Sequence, residues 1–438
     1  MLTAEENARL TQVGAGTPMG ELMRRYWHPV AATIELKESP TKAVRILGES
    51  MVLYKDRSGT LGLIDESCPH RRSGMLYGIP EDNGLRCSYH GWLMNETGRC
   101  LEMPAEPPDS TFMDRVRVKA YPVEELGGLV WAYLGPQPAP LLPRWDLLVE
   151  DNVLRDIGVT VLPCNWMQCM ENSLDPTHAE WLHSYLSTYV LEREGATDAW
   201  TRPMARHDKI GFDVFEHGII KRRVLAGGTE DDPAWRVGHP IIFPNYLRVG
   251  AGFQMRMPID DTHTWHVNYN AYFPPAGSEI EVPKQEDIPM YQVPFLDEKT
   301  GRLAVNFTIG QDTMAWITQG DVADRTQEKL GESDKGIIMF RRLLREQMAI
   351  VEDGGEPMNV FRDPAKNGLI YVNHDDDPRI PRDEPSIPRL NRMAPMSGQI
   401  HDETGNQIFA PTGAHSPMAR QAPKIFAKLA EEAKAKGN

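Results

Sequence analysis

The spacing of apolar and polar residues changes along the chain, and its first part is typical of a helix. Residues 1–40 predict a helical segment, because Thr17 is a favourable N-cap, Pro18 suits the first helical position and Glu21 follows in the first turn. The pair His28-Pro29 predicts the end of that helix, since a residue that precedes proline disfavours helical backbone angles.

Short β-branched and aromatic runs replace the helical pattern over residues 44–134. These runs lie at residues 51–54, 61–64 and 129–134, and glycine-containing turns separate them. Residues 41–140 are therefore predicted to form a small all-β domain. Its last residues, 135–140, are rich in proline and are expected to act as a linker.

Residues 141–350 combine helical and strand-like patterns. Irregular helix is favoured over residues 164–189, strands at 210–215 and 265–269, and a further helix at 336–344. Helix, antiparallel strands and helix in this order are typical of an α+β domain and not of alternating βα units.

The last part of the chain, residues 351–438, predicts an extension and not a separate core. It is first polar and rich in proline, and then has the Ala/Lys/Glu composition of a helix over residues 425–434. We expect it to lie over a domain or over a neighbouring subunit. The chain contains neither G-x-G-x-x-G nor G-x-x-x-x-G-K-[ST], so no nucleotide site of its own is predicted.

The composition of the chain excludes some kinds of binding partner and cellular location. The chain has 438 residues and 47 Lys plus Arg against 62 Asp plus Glu, a net charge of −15, which disfavours binding to nucleic acid or anionic membranes. The sequence has no apolar run of about 18 residues, the length that a transmembrane helix needs. The acidic N-terminus differs from a signal peptide, and five cysteines are too few for a disulfide framework. A cytoplasmic location is expected.

The first group of metal-binding residues is Cys68-Pro69-His70 followed by Cys87-Ser88-Tyr89-His90. Thiolate and imidazole both bind zinc, but zinc fingers generally keep at least two residues between paired ligands, and Cys68 and His70 have one. The combination C-x-H with C-x-x-H is the Rieske arrangement, in which two thiolates hold one iron of a [2Fe–2S] cluster and two imidazoles hold the other. The remaining cysteines, Cys100, Cys164 and Cys169, have no such spacing and are expected to be buried.

The second group is Asp175-x-x-His178-x-x-x-x-His183. Residues five apart in a regular helix point about 140° apart, so two such histidines reach one metal only where the helix is distorted, for instance by a π-bulge. The spacing alone is a weak signal, but the Rieske motif in the same chain strengthens it.

Together the two motifs resemble those of the oxygenase (α) component of Rieske non-haem iron oxygenases, over nearly the whole chain. The resemblance implies an all-β Rieske domain, then a helix-grip (START-like) catalytic domain with an antiparallel sheet that holds mononuclear Fe(II), and a C-terminal extension. The implied iron ligands are two histidines and one carboxylate. These correspond to His178, His183 and, in the segment 311–316, Asp312, with Asp321 and Asp324 as alternatives.

The same resemblance assigns roles to two further polar residues. Asp175 matches the aspartate that joins a Rieske histidine of one subunit to an iron histidine of the next, which implies a ring, most often a trimer, although a hexamer is also open. The alternative role for Asp175 is a helix N-cap before Pro176. Asn172 and Glu171 are expected either to line the iron cavity or to belong to a buried polar network.

The chain is similar to phthalate dioxygenase and to O-demethylases that act on methoxylated or lignin-derived aromatic acids. It is therefore expected to use dioxygen and electrons from NAD(P)H, which a separate reductase or a ferredoxin with its reductase delivers. Hydroxylation of a phthalate-type carboxylate and oxidative O-demethylation share all the residues named. An aromatic carboxylate needs a cation, and the candidate arginines are Arg206, Arg222, Arg223, Arg236 and Arg248.

Two other classes of function stay open at this point. A Rieske electron carrier without oxygenase chemistry would bind no metal in the second region. A zinc-stabilised binding module would hold no iron at all and would be colourless.

Overall fold

The computed structural model describes residues 1–193, 195, 206–375, 377, 379, 399–401, 407–409 and 415–436. Its strands in chain order are β1 Trp27–Ala32, β2 Thr41–Ile46, β3 Glu49–Lys55, β4 Leu61–Asp65, β5 Ile79–Glu81, β6 Gly84–Arg86, β7 Leu93–Met94, β8 Cys100–Glu102, β9 Ala120–Tyr121, β10 Val123–Leu126, β11 Leu129–Tyr133, β12 Leu154–Leu162, β13 His207–Phe215, β14 Gly218–Leu225, β15 His239–Ile242, β16 Tyr246–Val249, β17 Gly252–Pro258, β18 Thr264–Tyr272, β19 Met290–Gln292, β20 Gln399–His401 and β21 Gln407–Phe409.

The α-helices in the same ranges are α1 Ala4–Thr11, α2 Pro18–Met23, α3 Glu35–Glu38, α4 Asp146–Val149, α5 Trp166–Ser173, α6 His178–Glu180, α7 Leu186–Arg193, α8 Pro233–Arg236, α9 Thr308–Ile317, α10 Lys335–Glu352 and α11 Pro417–Lys436. A π-helix, Trp181–Tyr185, joins α6 to α7. None of these helices combines the length and the apolar composition that crossing a membrane requires.

The N-terminal part is formed by small antiparallel sheets. The strand orders are β2-β3-β4-β9, β5-β6-β7-β8 and β1-β11-β10. One metal-binding loop lies between β4 and β5, and so between the first two sheets, and the other joins β6 to β7. Cys68 and Cys87 lie beside Trp92 in an apolar core to which both of these sheets contribute. The predicted all-β character of this region is confirmed.

Helix α2 is shorter than the sequence predicts. Thr17 does cap it, its Oγ1 accepting from the amide of Gly20 at 3.1 Å, but the helix ends at Met23 and not at His28-Pro29. Residues 27–32 form β1, in which His28 lies opposite Ala132 of β11. The prediction of helix up to residue 28 is wrong, because pairing with β11 overrides the local helical preference.

The second part contains a large sheet with the order β13-β14-β15-β16-β17-β18-β12-β19. Its pairs are antiparallel except for β12 with β19, which is parallel. Helix α5 packs on β16 and β17, and α9 packs on α5 and on the π-helix. The sheet and these helices therefore hold the His-x-x-x-x-His segment and the Asp312 segment against each other.

The C-terminal helix α11 packs on β12 and β18. It is attached through Asp156, whose Oδ2 accepts from Ser416 Oγ at 2.6 Å and from the amide of Met418 at 3.1 Å. The polar segment 380–398 lies outside the described residues. The domain boundaries 1–40, 41–140, 141–350 and 351–438 stay predictions. Within the first range, which the sequence predicts to be helical, residues 27–32 form strand β1 instead.

Candidate functional site

Two loops bring the residues of the first motif together. In the first loop the amide of Arg72 donates to the carbonyl of Cys68 at 2.9 Å, and in the second the amide of Gly91 donates to the carbonyl of Cys87 at 3.0 Å. Gly91 has φ +76°, a value that favours glycine. Both thiols are buried, with 1% of Cys68 and 3% of Cys87 exposed.

The imidazoles of the same loops lie at the surface. His70 is exposed, His90 is partly exposed, and their ring centroids are 4.5 Å apart. Trp92 stacks on His70 at 4.6 Å, which fixes the orientation of that ring. Burial raises the pKa of the Cys68 thiol to about 11, and the adjacent thiol of Cys87 adds to this shift. A bound metal cation would stabilise two thiolates there.

This arrangement fits a Rieske cluster. Two buried sulfurs and two outer imidazoles are the donor set for which one iron takes thiolates and the other takes nitrogens. The structure therefore brings together the four predicted ligands, Cys68, His70, Cys87 and His90. The other cysteines, Cys100, Cys164 and Cys169, are free and buried, as the sequence predicts.

The second motif depends on the π-helix at Trp181–Tyr185, which contains His183. Wider turns in this segment rotate His183 toward His178, and their ring centroids are 5.0 Å apart. The predicted distortion of the helix between the two histidines is confirmed.

Asp312 completes the second group from the middle of α9. Its Oδ1 lies 3.6 Å from Nε2 of His178 and 3.1 Å from Nε2 of His183. This oxygen is buried and accepts no hydrogen bond from the described residues, since the histidine at 3.1 Å is not aligned for one. Two imidazole nitrogens and an unsatisfied carboxylate oxygen that converge on one point fit a metal ion of the two-histidine, one-carboxylate type.

The alternatives to Asp312 do not reach this group. Asp321 and Asp324 are exposed, and Asp324 accepts from the amide and hydroxyl of Thr326 at 3.0 and 2.7 Å. The geometry therefore favours Asp312 as the carboxylate.

Hydrogen bonds fix which nitrogen of each imidazole faces the metal position. Nδ1 of His178 donates to the backbone carbonyl of Asp175 at 2.6 Å, and Nδ1 of His183 donates to Oε1 of Gln311 at 2.9 Å. The Gln311 amide is itself oriented, because its Nε2 donates to Ser187 Oγ at 2.9 Å and to the carbonyl of Val305 at 3.0 Å. Both histidines thus present Nε2 as the free donor atom.

The electrostatic environments of the two imidazoles differ: burial lowers the pKa of both, but the Asp312 carboxylate and Gln311 outweigh it at His183 and raise the pKa of that ring. Burial, with a contribution from His183, lowers the pKa of His178 to about 4, so this ring is neutral at pH 7. Burial disfavours ionisation of Asp312, but the two imidazoles and Arg256 together hold its pKa below the usual value. The site therefore combines a neutral imidazole with an ionised carboxylate before any metal binds.

No sequence pattern indicates a role for Gln311 beyond its place before Asp312. We expect Gln311→Leu to weaken iron binding at this site by roughly 10- to 100-fold, because His183 loses the acceptor that orients it. Iron retained after dialysis against a chelator measures the effect. Gln319→Leu changes an exposed glutamine just beyond the same helix and serves as the control. Equal iron retention in the two variants would contradict the orienting role.

Asp175 closes a local turn before α6 and keeps one oxygen free; it is not the N-cap of that helix, a position that Thr177 occupies. Its Oδ1 accepts from the amide and hydroxyl of Thr177 at 2.8 and 2.7 Å. Its Oδ2 lies 3.7 Å from Nδ1 of His178 and accepts no hydrogen bond from the described residues. The side chain is 25% exposed, so a group outside the chain can reach it.

Of the two neighbouring polar residues, Glu171 belongs to a buried network. Its carboxylate lies 2.6 Å from both Arg325 and Arg341. Asn172 is partly exposed, and its side chain forms no hydrogen bond within the described part of the chain. The catalytic role of Asn172 stays a prediction.

The five candidate arginines have different environments. Arg206 and Arg236 are exposed, Arg222 is hydrogen-bonded to Asp213, and Arg248 is buried 3.1 Å from Asp146. Arg223 is half-buried, has one ion pair among the described residues, at 3.6 Å, and its buried Nε has no hydrogen-bond partner there. Arg248 is fully buried and its Nη2 likewise lacks a hydrogen bond, but its guanidinium is paired with Asp146, and the sequence did not single out either residue.

Comparison with known sequences places these sites in a family. Residues 26–122 match the Rieske [2Fe-2S] domain family, and residues 299–365 match the family described as LigXa C-terminal domain like. The chain is 42% identical over 406 residues to the 5,5'-dehydrodivanillate O-demethylase oxygenase subunit of Sphingobium sp. (strain NBRC 103272 / SYK-6), covering 92% of this chain and 90% of the relative. It is 34% identical over 398 residues to the phthalate 4,5-dioxygenase oxygenase subunit of Pseudomonas putida, covering 81% and 88%.

Solved structures share the fold. A mutant of NdmA from Pseudomonas putida CBB5 with theobromine has a TM-score of 0.55 at 19% identity, covering 78% of this chain and 95% of that chain. The terminal oxygenase of carbazole 1,9a-dioxygenase from Novosphingobium sp. KA1 has a TM-score of 0.53 at 20% identity, covering 82% and 100%. The predicted order of Rieske domain and antiparallel-sheet catalytic domain is thus confirmed. On the sequence relatives, the chain belongs to the Rieske non-haem iron oxygenases, as the oxygenase component of a multi-component system.

Proposed function

We propose that this chain removes the methyl group from a methoxylated aromatic acid by oxidation. The observation that carries the proposal is the 42% identity, over 90% of the relative, to an oxygenase subunit of an O-demethylase. The aryl methyl ether, dioxygen, NAD(P)H and a proton would give the phenol, formaldehyde, water and NAD(P)⁺. Hydroxylation of a phthalate-type carboxylate is the second candidate, which the 34% identity to a phthalate dioxygenase subunit supports.

In this proposal His178, His183 and Asp312 hold Fe(II), which supplies open coordination positions for dioxygen. The backbone carbonyl of Asp175 and the amide of Gln311 keep both imidazoles directed at the metal position. The burial of His183 and Asp312 limits the access of water, which would otherwise divert reducing equivalents from the substrate.

The Rieske residues are proposed to receive electrons from a separate reductase, directly or through a ferredoxin, which takes them from NAD(P)H. The exposed edges of His70 and His90 support this role, since a partner can approach them closely. Structures similar in fold include oxygenase–ferredoxin complexes of carbazole 1,9a-dioxygenase.

Electrons are proposed to cross between subunits of a ring, most simply a trimer. The free Oδ2 of Asp175 would accept a hydrogen bond from a surface imidazole, His70 or His90, of the neighbouring subunit. The partial exposure of Asp175 beside His178 supports this path. A carboxylate between two imidazoles would fix the tautomers of both rings. An active, stable monomer in sedimentation experiments would contradict it.

A product assay tests the proposed reaction. With a surrogate reductase and a panel of methoxybenzoates, we expect formaldehyde to form in amounts equimolar with the dioxygen consumed. Under ¹⁸O₂ the phenolic oxygen should stay unlabelled, because demethylation leaves the aryl–oxygen bond intact. Label on the ring without formaldehyde would overturn demethylation in favour of ring hydroxylation. The Asp312→Ala variant provides the inactive control.

A further inference from the structure

Lys221 is a buried cation in the large sheet. It lies in β14, where it is opposite Phe212 of β13 and His239 of β15. Only 7% of its surface is exposed. Among the described residues it forms no hydrogen bond, and no carboxylate oxygen lies within the 4.0 Å of an ion pair.

A lysine in this position is unfavourable unless something neutralises it. Moving an ammonium group out of water is costly, because an apolar environment does not replace its hydration. Burial, together with repulsion from Arg223, lowers the pKa of Lys221 to about 8. The amine is therefore still mostly protonated at pH 7, so the chain keeps a desolvated positive charge inside the catalytic domain.

Arg223 adds a second cation on the same face of β14, since residues two apart in a strand point the same way. Its Nη2 lies 3.6 Å from Oδ2 of Asp375, and its buried Nε has no hydrogen-bond partner in the described ranges. Within the described part of the chain the two cations together thus have one carboxylate at ion-pair distance, so their charge is not fully compensated there.

The charge of Lys221 acts electrostatically on the residues of the iron site. Burial is the main reason why the pKa of His178 is low, and the charge of Lys221 adds to that effect. The negative charges of Asp175 and Asp312 in turn raise the pKa of Lys221, although neither carboxylate lies within ion-pair distance of it. His207 of β13 lies opposite Leu225, which shares one face of β14 with Lys221, and its Nδ1 lies 2.7 Å from Oε1 of Glu180, between the two iron histidines in sequence. Lys221 therefore lies on the face of the sheet that packs against the metal-binding segment.

Arg256 is a buried cation of the same region that the chain partly solvates. It is fully buried and lies close enough to Asp312 to lower the pKa of that carboxyl, and its guanidinium donates to the carbonyl and the side-chain oxygen of Gln254, although its Nε has no partner among the described residues. Lys221, by contrast, forms no hydrogen bond at all within the described ranges.

We propose that Lys221, assisted by Arg223, binds the carboxylate of the aromatic acid and so directs the far side of the ring to the iron. The inference rests on the proposed function for the class of substrate. It assigns the carboxylate-binding residue, which the product assay does not test. An incoming carboxylate would neutralise the desolvated ammonium and hydrogen-bond to it.

The test compares an acid with its neutral amide. Lys221→Met keeps a long side chain and removes the charge. We expect it to raise the Kd of 3,4-dimethoxybenzoate by roughly 10- to 100-fold, as for a lost hydrogen bond to a charged group. The Kd of 3,4-dimethoxybenzamide should be unchanged. Calorimetry on iron-loaded protein without reductant measures both values, and Lys221→Arg should retain part of the affinity for the acid.

Lys209→Met is the matched control. Lys209 lies on the adjacent strand β13, is exposed and pairs with Glu230 at 2.6 Å, so its loss should leave the affinity for both probes unchanged. Equal weakening of acid and amide by Lys221→Met would overturn the proposal, as would unchanged affinity for the acid. A wild-type protein that binds the amide as tightly as the acid would also overturn it. If the ¹⁸O₂ assay instead placed label on the ring, demethylation would be wrong as the reaction, but Lys221 could still be tested as the residue that binds the carboxylate.

A stability measurement separates binding from a structural role. Because an unpaired buried charge destabilises the folded state, Lys221→Met should have a higher Tm than the wild type without ligand. The acid should then raise the Tm of the wild type more than that of the variant. A variant that melts earlier without ligand, or that does not fold, would show that Lys221 is needed for structure and would contradict the proposal.

Discussion

Replacing Asp312 by alanine is expected to empty the mononuclear iron site and to reduce substrate oxidation by at least about 100-fold. Loss of residues that merely orient metal ligands commonly costs about 10- to 100-fold, so loss of a ligand should cost at least as much. Iron and sulfide analysis measures the change. The wild type should contain about three irons for two sulfides, and the variant about two for two, with the Rieske absorption retained.

Asp324→Ala is the control for this experiment, because Asp324 is exposed and its carboxylate is occupied by Thr326. It should keep all of its iron. Retention of the third iron in Asp312→Ala would show that another group completes the site. A wild type with equal iron and sulfide would instead favour an electron carrier over an oxygenase.

Replacing Asp175 by asparagine is expected to lower turnover by about 100-fold while both metal centres stay loaded. Asparagine keeps an oxygen that can accept from the amide and hydroxyl of Thr177, so the local turn should survive. It removes the charge and the free Oδ2 that we propose as the link to the neighbouring subunit. The size of the effect follows from losing a carboxylate that orients metal-bound imidazoles. Stopped-flow absorbance can follow how fast the reduced cluster is reoxidised when substrate and dioxygen are added.

Thr177→Ala tests the turn without changing the charge of Asp175. It removes one of the hydrogen bonds to Oδ1 and should retain most of the turnover. Rapid reoxidation of the cluster in Asp175→Asn would contradict electron transfer through this carboxylate. Loss of iron from Asp175→Asn would point to a structural role at His178.

The Rieske ligands could be predicted because their geometry is local. Each pair lies within one short loop, so the spacing of Cys68 and His70, or of Cys87 and His90, already determines how the donors converge. The histidines of the second site can meet only if the helix between them is distorted. Their spacing indicates that a distortion is needed, but it does not indicate at which residues the distortion lies. Asp312 is far along the chain, so only the family resemblance pointed to it before the fold brought it to the histidines.

The remaining features depend on contacts that no local pattern records. Helix α2 ends at Met23 because β1 pairs with β11, and a local rule for proline cannot anticipate a strand partner so distant in sequence. Gln311 orients His183 through a tertiary contact. Lys221 is distinguished by having no hydrogen bond and no ion pair with the residues that the structure describes, which becomes visible only in three dimensions.

The carboxylate that holds Arg223 comes from Asp375, beyond the end of the catalytic sheet and its helices. Lys221 and Arg223 themselves are encoded between the iron ligands His183 and Asp312, so of these groups the supporting carboxylate alone lies apart from the iron site in the gene. A substitution at Asp375 would change the charge around Arg223 and leave every iron ligand in place. Variation near the 3′ end would then adjust the affinity for acids while the oxygen-activating residues are inherited intact.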